Sequence, residues 1–416
     1  MGSEMCIRDR PKPIVQGHGG ILLEHLKAVA LHMDLGPADR FFWFTTTGWM
    51  MWNFLIGGLL VGSTILLYDG SPGWPDMSVL WDFAERSAMT CFGTSAAYVS
   101  ACMKAGIRPG TSHHLQALKS MGSTGSPLSA EGFAWVYREV GAHVWLASIS
   151  GGTDVCTAFV GGCPLLPVYS GEIQCRYLGA AVQAFDEQGQ PLYDQVGELV
   201  LTSPMPSMPL FFWNDRNGMR YRESYFELYP GIWRHGDWIK ITSHDGVIIY
   251  GRSDATINRL GIRVGTAEIY RAVESIPEVL DSLVVDLEGL DGAAFMPMFV
   301  MLAANTVLTV ALEQRIKRAI RQRLTARHVP DKIYPVTDIP RTLNGKKLEM
   351  PIRKILMGTP VEHALNLDTM ANPQVIGLYH ELAAQIRAEL KGESVSYTHL
   401  RAHETDSYLV CRLLLE

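Results

Sequence analysis

Residues 41–68 carry the densest hydrophobic pattern of the chain, a run of 28 positions without a charged side chain. An apolar run of this length is long enough to cross a bilayer as a helix. Glycines interrupt the run, however, and aromatic and β-branched residues occupy its two ends. The pattern therefore favours a strand over residues 41–45, a buried helix over 49–60 and a second strand over 64–68, all inside a globular α/β layer.

Hydrophobic segments of alternating strand and helix character extend from residue 14 to residue 147. This order predicts a layered α/β domain. Between residues 171 and 250 short apolar runs alternate with turn residues, which predicts a small antiparallel insert resembling a β-barrel. The predicted strands of the insert are 172–177, 181–185, 198–202 and 246–250.

A second compact unit of α+β character is predicted after Gly251. Thr266 is predicted to cap a helix that places Ile269, Val273 and Ile276 on one face. A second apolar stripe follows this helix, with predicted strands on both sides of the stripe. The stripe consists of Leu312, Ile316, Ile320 and Leu324, and the strands are 283–287, 298–302 and 332–336. The unit spans about 130 residues, an ordinary size for a domain.

The two ends of the chain share no pattern with the segments beside them. Residues 1–10 and 391–416 resemble translated sequencing adapter, and we expect both to be foreign and unstructured. The natural sequence is then expected to begin inside a longer protein. The remaining chain divides into a partial large domain, residues 11–252, and a smaller C-terminal domain, residues 253–390.

Composition narrows the classes of function. The net charge is −6 and no basic run stands out, which excludes a nucleic-acid partner. The seven cysteines are scattered without a C-x-x-C pair, which argues against a zinc ribbon and against a secreted disulfide framework. They suit buried thiols in a reducing compartment, and the N-terminus lacks a secretory pattern. We therefore predict a cytoplasmic protein without a membrane partner.

The first candidate for chemistry is the segment Gly251–Asp254 with the residues that follow it. Arg252 offers a planar donor fork suited to ribose hydroxyls or phosphate oxygens, and Arg263 supplies a second cation. Asp237 lies just upstream and can accept both hydroxyls of a ribose. Taken alone, the segment fits a glycine turn at a domain boundary with surface arginines. Together with the motifs below, a nucleotide clamp is the better interpretation.

Two loops of small residues form the second candidate. In Ser148–Asp154, two glycines allow close approach of the backbone to a ligand, and a hydroxyl and a carboxylate follow them. The hydroxyl of Thr153 can contact phosphate and the carboxylate of Asp154 can hold Mg²⁺ against it. Gly122–Pro127 is a similar loop after an apolar segment. Each loop by itself also fits an ordinary tight turn.

The third candidate is Pro340–Lys347, where a lysine stands on an Asn-Gly turn at the edge of the smaller domain. A lysine in this position can swing into a neighbouring site. The alternative is a solvated hairpin tip.

These motifs, in this order, resemble the adenylate-forming superfamily of acyl-CoA synthetases, luciferases and peptide-synthetase adenylation domains. The finer resemblance is to its synthetases for a short keto acid. The resemblance is nearly continuous from residue 11 to about residue 372. The segments that carry it are 16–25, 42–53, 148–160, 202–209 and 233–238. The implied fold is an α/β adenylate-forming fold, with a partial large domain, its small β-barrel subdomain and a smaller α+β lid.

The resemblance implies a role for each matching residue. Lys12 ends a phosphate-binding loop whose upstream part does not match. By this resemblance the adenine is lined by Gly125, Ser126, Pro127, Gly151 and Gly152. Thr153 contacts the α-phosphate, and Asp154 holds Mg²⁺ where many relatives have Glu.

The remaining implied roles concern the ribose, the phosphates and the lid. Asp237 and Arg252 hold the ribose, and Arg263 holds the phosphates. Asp254 is the hinge, Gly261 flanks the coenzyme A channel, and Lys346 is the adenylation lysine.

The implied reaction uses ATP, Mg²⁺ and coenzyme A and proceeds in two steps, adenylation of the acid and transfer to the thiol. Acetyl-specific relatives have a bulky aromatic at the position of Gly151, so the glycine implies a larger acid, with Trp49 shaping the remaining wall. A butyrate-like acid fits this argument as well as a keto acid. Another short- or medium-chain acyl-CoA synthetase and a nucleotide-binding fragment without catalysis remain as alternatives, and the oligomeric state is open.

Overall fold

The computed structural model describes residues 12–253, 257–259, 262–287, 290, 295–342 and 345–390, with only the backbone of 257–259 and 262–264. The predictions about the two foreign ends fall on residues 1–11 and 391–416, outside the described residues.

A five-stranded parallel sheet forms the centre of the N-terminal part. Its strands, in spatial order, are Thr64–Leu66, Arg40–Trp43, Cys91–Ser95, Ser120–Thr124 and Trp145–Ser148. Side chains alternate between its two faces, as a strand requires. Phe41 and Trp43 enter one hydrophobic core, whereas Phe42 enters another on the opposite face.

The uncharged stretch of residues 41–68 forms the predicted strand, helix and strand. The helix Met50–Gly57 continues as a 3₁₀ turn over Gly58–Val61 before the strand Thr64–Leu66 begins. Among the described residues no helix combines the length and the hydrophobicity needed to cross a membrane. The α/β interpretation of this stretch is therefore confirmed.

Antiparallel sheets follow the parallel one; they begin before the region 171–250 that was predicted as a barrel-like insert and extend through it. A three-stranded sheet consists of Ser150–Gly152, Thr157–Gly161 and Cys175–Arg176. A five-stranded sheet has the spatial order Pro191–Leu192, Val182–Phe185, Val196–Leu201, Trp233–Ile241 and Val247–Arg252. A bridge between Ile173 and Val247 joins the two sheets. Ile14–Val15 pairs separately with Phe211–Phe212.

The C-terminal part is built on a mixed three-stranded sheet. Pro297–Leu302 pairs antiparallel with Val279–Val284 on one side and parallel with Lys332–Val336 on the other. A short hairpin of Ile257–Arg259 and Ile262–Val264 precedes this sheet. The two hydrophobic cores of this part draw only on residues 269–386, whereas those of the N-terminal part draw on residues 28–249.

Helices cover both parts. They are His18–Lys27, Met50–Gly57, Val79–Arg86, Ala96–Lys104, Pro109–Ser112, Ala130–Trp135, Met219–Tyr225, Thr266–Glu274, Val310–Arg323, Glu349–Leu356, Val361–Ala364 and Ile376–Leu390. Short π-helical segments are Ala28–His32 and Val136–Val140, and further 3₁₀ turns are Thr153–Val155, Ala326–His328, Leu367–Thr369 and Pro373–Val375.

Three local predictions need correction. Thr266 does not cap its helix; it is the first helical residue, and Gly265 is the N-cap. The carbonyl oxygen of Tyr250 lies 2.8 Å from where a Cβ atom of Gly265 would stand, so the chain needs glycine there.

The other two corrections concern strands. The strand predicted at 283–287 begins earlier, at Val279, and ends at Val284, although the N–H of Leu287 still donates to the carbonyl of Phe295 at 2.9 Å. The strand predicted at 172–177 is only Cys175–Arg176, since Ile173 pairs with the other sheet.

Candidate active site

The predicted glycine loops lie next to each other at the carboxyl ends of the parallel strands. Ser123 and Ser148 are register partners, and the hydroxyl of Thr124 donates to the carbonyl of Ile149 at 2.9 Å. Gly125 and Gly151, which follow these strand ends, are exposed. In open α/β sheets, the crevice outside the carboxyl ends of the strands is where ligands bind.

Asp154 lies in the 3₁₀ turn that joins two strands of the small antiparallel sheet, and its side chain is almost fully buried. The hydroxyl of Tyr225 donates to its carboxylate, and the Lys12 ammonium lies 3.5 Å from the same oxygen, Oδ1. Gln16 donates to its carbonyl oxygen at 2.7 Å. Two distant segments of the chain, residues 12–16 and the helix that carries Tyr225, therefore hold this aspartate in place.

The charges around Asp154 decide its ionisation. Burial alone would raise the pKa of this carboxyl, but Lys12, His235, Tyr225 and Arg252 outweigh the burial and lower the pKa below its ordinary value. Asp154 is therefore an anion at neutral pH.

The residues around Asp154 could hold Mg²⁺ only if a nucleotide supplied further ligands. The described residues contain no group of three or more His, Cys, Asp or Glu side chains that could hold a metal ion. Mg²⁺ commonly binds through one or two carboxylates together with substrate phosphates and water. A single buried, ionised carboxylate next to the exposed backbone of Gly151 fits that mode of binding, and a metal cage made by the protein alone is not present among these residues.

Asp237 and Arg252 form the second element of the site. They are register partners on the strands Trp233–Ile241 and Val247–Arg252, and Nη1 of Arg252 lies 3.6 Å from Oδ1 of Asp237. Gly236 has a φ of +91°, and a Cβ atom there would stand 2.7 Å from Nη2 of Arg252. Glycine at 236 thus provides both the backbone geometry and the space that the guanidinium needs.

His235 connects the two elements. Its Nε2 lies 3.5 Å from Oδ2 of Asp237, and its ring packs edge-on against Phe159. Burial lowers the pKa of His235, Arg252 lowers it further, and the charges of Asp237 and Asp154 raise it. A Cβ atom at Gly152 would stand 2.4 Å from this ring, so glycine at 152 makes room for the imidazole.

Lys346, from the C-terminal part, faces these same groups. Burial lowers the pKa of its ammonium, Arg252 lowers it further, and Asp237 and Asp154 raise it. Part of the Lys346 residue stays exposed to solvent, and neighbouring protein groups desolvate its ammonium. The structure therefore brings Lys346 together with Asp154, Asp237 and Arg252, three groups predicted independently from the sequence.

Other predicted residues lie near the site or outside the described residues. Ser126 is exposed, and Pro127 and Thr153 are half-buried in the two loops. Trp49 is the N-cap of the helix Met50–Gly57 and packs partly against the first core. For Arg263 only the strand backbone is described, and Asp254 and Gly261 lie outside the described residues.

The geometry at Gly151 changes the argument made for its role. A Cβ atom at this position would stand 2.1 Å from the carbonyl oxygen of Thr157 and 2.5 Å from Cα of Ala158, across a bulge in the hairpin. The glycine is required by the packing of two backbones. Its missing side chain does not leave a space that opens into an acyl pocket, so its assignment to that pocket stays a prediction without support from this geometry.

Sequence reasoning missed Tyr225, Gln16 and His235. Tyr225 lies on the helix Met219–Tyr225 and its ring stacks on Trp233 with 3.6 Å between centroids. The ammonium of Lys12 lies 4.6 Å from the centroid of the same ring. No local motif marks these contacts, because Tyr225 is 71 residues from Asp154 and Gln16 is 138 residues from it.

The sheet architecture, the nucleotide-type loops and the facing lysine define the fold of an adenylate-forming enzyme. The sequence profile of the family described as AMP-binding enzyme matches residues 10–209. A solved acetoacetyl-CoA synthetase from Streptomyces lividans is similar, with a TM-score of 0.84 and 54% identity over 90% of this chain and 58% of that one. The predicted fold and the predicted resemblance to adenylate-forming acyl-CoA synthetases are confirmed.

Curated relatives point to the same group. Acetoacetyl-coenzyme A synthetase from Rhizobium meliloti (strain 1021) is 48% identical over 369 residues, 89% of this chain and 56% of that protein. Acetoacetyl-CoA synthetase from Gallus gallus is 43% identical over 373 residues, with the same coverage. The chain thus spans about 56% of the length of these relatives. An anthranilate CoA ligase bound to anthranoyl-AMP shares the fold at a TM-score of 0.69 and 20% identity.

Proposed function

We propose that this chain is part of an acid–thiol ligase that joins acetoacetate to coenzyme A at the expense of ATP, giving acetoacetyl-CoA, AMP and pyrophosphate. The names of the similar proteins support the choice of substrate. The observation that carries the reaction type is the placement of Lys346 among Asp154, Asp237 and Arg252. Transfer of an adenylyl group needs a cation that neutralises the charge developing at the α-phosphate, and a lysine beside the nucleotide loop can supply it.

The first step forms an acyl-adenylate. A carboxylate oxygen of acetoacetate attacks the α-phosphorus of ATP, and the bond from that phosphorus to pyrophosphate breaks. Lys346 and Arg263 neutralise the charge that develops, and Thr153 contacts the α-phosphate. Positioning and charge neutralisation suffice here, so no protein nucleophile is needed.

The nucleotide is held by groups from both loops and from the paired strands. Asp237 and Arg252 bind the ribose hydroxyls, whereas Lys12 pairs with phosphate. The adenine lies against the loop residues Gly125, Ser126 and Pro127 and the glycines Gly151 and Gly152. Mg²⁺, when bound, supplies further charge neutralisation at the phosphates, and Asp154 is the residue that would hold it.

The second step transfers the acyl group. The smaller domain, residues 253–390, turns about Asp254, withdraws Lys346 and opens a path past Gly261 for coenzyme A. The sulfur attacks the acyl carbon, the bond to AMP breaks, and the thiol proton leaves to solvent. Trp49 shapes the pocket for the acid. A rotating lid explains why functional residues stand on both sides of one boundary.

Pyrophosphate exchange with the full-length gene product tests this function. Radioactive pyrophosphate should enter ATP in the presence of acetoacetate, and faster than with butyrate or acetate. Lys346→Ala should reduce the exchange on the order of 10²-fold or more, because a charge-neutralising group is lost from the transition state. Preference for butyrate or acetate by a wide margin would overturn the substrate. AMP binding by calorimetry without exchange on any acid would leave a nucleotide-binding protein without ligase activity.

The proposal also covers the cellular compartment and the molecules that bind at the site. The five cysteines in the described part of the chain are all free thiols, which suits a reducing compartment such as the cytoplasm. The partners of the site are small molecules: acetoacetate, ATP and coenzyme A.

A further inference from the structure

Lys346 stands on a short turn whose two ends are tied together. Arg341 and Lys347 form an antiparallel bridge at the base of the turn. Inside it, the N–H of Thr342 donates to the carbonyl of Lys346 at 2.9 Å, and the N–H of Lys346 donates to the hydroxyl of Thr342 at 3.1 Å. The direction of the Lys346 side chain therefore depends on how this base is held.

Asp281, on the strand Val279–Val284, holds both ends of the base. Its Oδ2 accepts from Nε of Arg341 at 3.0 Å and from Nη2 at 2.5 Å, whereas its Oδ1 lies 2.9 Å from Nζ of Lys347. Only 13% of this side chain is exposed. Burial raises the pKa of the Asp281 carboxyl, but Lys347 and Arg341 outweigh it and hold the pKa well below its ordinary value. We name these three residues the turn clamp.

Lys347 is fixed by further partners as well. Its ammonium lies 2.6 Å from Oε1 of Glu274, 2.6 Å from the carbonyl oxygen of Ser282 and 3.7 Å from the centroid of the Tyr270 ring. Adjacent residues of an extended chain point to opposite sides. Fixing Lys347 inside the C-terminal part therefore points its neighbour, Lys346, outward toward the nucleotide loop.

The strand that carries Asp281 also contacts the N-terminal part. Nζ of Lys104, at the end of the helix Ala96–Lys104, donates to the carbonyl of Leu280 at 2.6 Å. Glu274 and Asp281 act electrostatically on the same ammonium and raise the pKa that burial lowers. The turn clamp therefore contacts the turn that carries Lys346. The strand of Asp281 also contacts the N-terminal part, toward which Lys346 points.

We propose that Asp281 is a positioning residue for the adenylation step: by joining Arg341 to Lys347, it aims Lys346 at Asp154, Asp237 and Arg252. This inference rests on the proposed function. It assigns Asp281 no contact with substrate and no role in the thiol step, because Lys346 is withdrawn in that step.

The test compares the two half-reactions in the Asp281→Asn variant of the full-length gene product. Amide for carboxylate keeps the shape and removes the charge that both cations need. Pyrophosphate exchange should lose on the order of 10²-fold in kcat, the effect of misplacing a catalytic group by about 1 Å, with KM for ATP within about twofold. Formation of thioester from prepared acetoacetyl-adenylate and coenzyme A should stay within about twofold of wild type.

Glu278→Gln is the matched control. It removes a carboxylate that pairs with Arg315 on the surface of the same part of the chain, one residue before the same strand. Both half-reactions should be unchanged in it. An equal fall of the two half-reactions in Asp281→Asn, or no fall in either, would overturn the positioning role.

A labelling experiment tests the turn clamp without relying on turnover. Reductive methylation followed by peptide mass spectrometry gives the rate at each lysine. Lys347 should react at least tenfold faster in Asp281→Asn than in wild type, because its ammonium loses a partner. An unchanged rate at Lys347 overturns the clamp. Absence of exchange in the wild type, together with the expected labelling change, would instead refute the ligase function.

Discussion

Asp237 and Arg252 face each other as register partners on adjacent antiparallel strands, with 3.6 Å between Oδ1 and Nη1. Arg252 also donates to the carbonyl of His235 at 3.3 Å. The guanidinium reaches both partners by crossing over Gly236, where a side chain would stand in its way. The strand pair and the His235 carbonyl together fix the position of the Arg252 guanidinium.

Substitution of Gly236 by alanine should therefore weaken nucleotide binding. The new Cβ atom would lie 2.7 Å from Nη2 of Arg252, and the φ of +91° disfavours any residue with a side chain. We expect AMP affinity to fall about tenfold, the loss of about 1.4 kcal/mol of binding. Calorimetric titration with AMP measures this.

Gly179→Ala is the control that separates backbone strain from the clash with Arg252. Gly179 has a φ of +75°, yet nothing lies within 4 Å of its Cβ position. Both variants should lose stability by about 1–2 kcal/mol through backbone strain, but only Gly236→Ala should lose AMP affinity. Equal AMP affinity in the two variants would contradict a role of Arg252 in binding.

Removal of the Tyr225 hydroxyl should destabilise the protein through Asp154. Burial and the neighbouring Asp154 anion both raise the pKa of Tyr225, so the hydroxyl stays protonated and donates. Tyr225→Phe should cost about 1.5–3 kcal/mol in the free energy of unfolding, the range for a hydrogen bond to a charged group. Chemical denaturation at pH 7 measures this.

Tyr221→Phe is the control on the same helix, since its hydroxyl donates to the neutral carbonyl of Pro209 at 3.0 Å. It should cost about 1 kcal/mol. The lowered pKa of Asp154 contributes stability above the ordinary aspartate pKa, and this stability is lost as pH falls toward the folded value. The excess cost of Tyr225→Phe should therefore shrink on acidification. A cost equal to that of the control at pH 7 would contradict the contact.

Local patterns were sufficient to predict much of the fold and the polar loops of the site. A strand could be predicted at residues 41–45 from an uncharged, aromatic run that ends before a glycine, and in the structure Phe41 and Phe42 enter two different cores. The loop Ser148–Asp154 could be recognised as a candidate for phosphate binding, because two glycines, a hydroxyl and a carboxylate follow one another there. Lys346 was recognisable from its turn. In each case the information lies within a few residues of sequence.

The contacts that complete the site join residues far apart in the chain. Tyr225 and Asp154 are 71 residues apart, and Lys104 is 176 residues from Leu280. Such pairs follow from the assembled tertiary structure and leave no periodic signal. The packing that requires glycine at 151 was invisible in the sequence for the same reason, since the two backbones meet only when the hairpin forms.

His32 should make the stability depend on pH near neutrality. The N–H of Leu178 donates to its Nε2 at 3.0 Å, so this nitrogen must be unprotonated, and Nδ1 bonds the carbonyl of Gly162 at 2.9 Å. Burial lowers the pKa of His32, with a smaller opposing effect of the Gly162 carbonyl. As pH falls through the ordinary histidine range, the unfolded chain takes up a proton first, and stability is lost.

Comparison of wild type with His32→Gln tests this assignment. Denaturation at pH 7.5 and pH 5.5 should give a smaller loss of stability for the variant than for the wild type. His18 lies on the exposed surface and serves as the control through His18→Gln, which should keep the wild-type dependence. An unaltered dependence in His32→Gln would contradict the neutral tautomer.

Lys346 should impose an alkaline limit on adenylation. Its pKa is lowered by burial and by Arg252, so the ammonium that neutralises the transferring phosphate loses its proton below the pH at which a free lysine does. Pyrophosphate exchange should therefore fall on the alkaline side, whereas thioester formation from prepared acyl-adenylate should not. In Lys346→Arg the guanidinium stays charged at all accessible pH values. Even if that variant is about tenfold slower because its geometry differs, its alkaline fall should disappear. A fall of the same shape in Lys346→Arg would assign the limit to another group and remove the lysine from the charge-neutralising role.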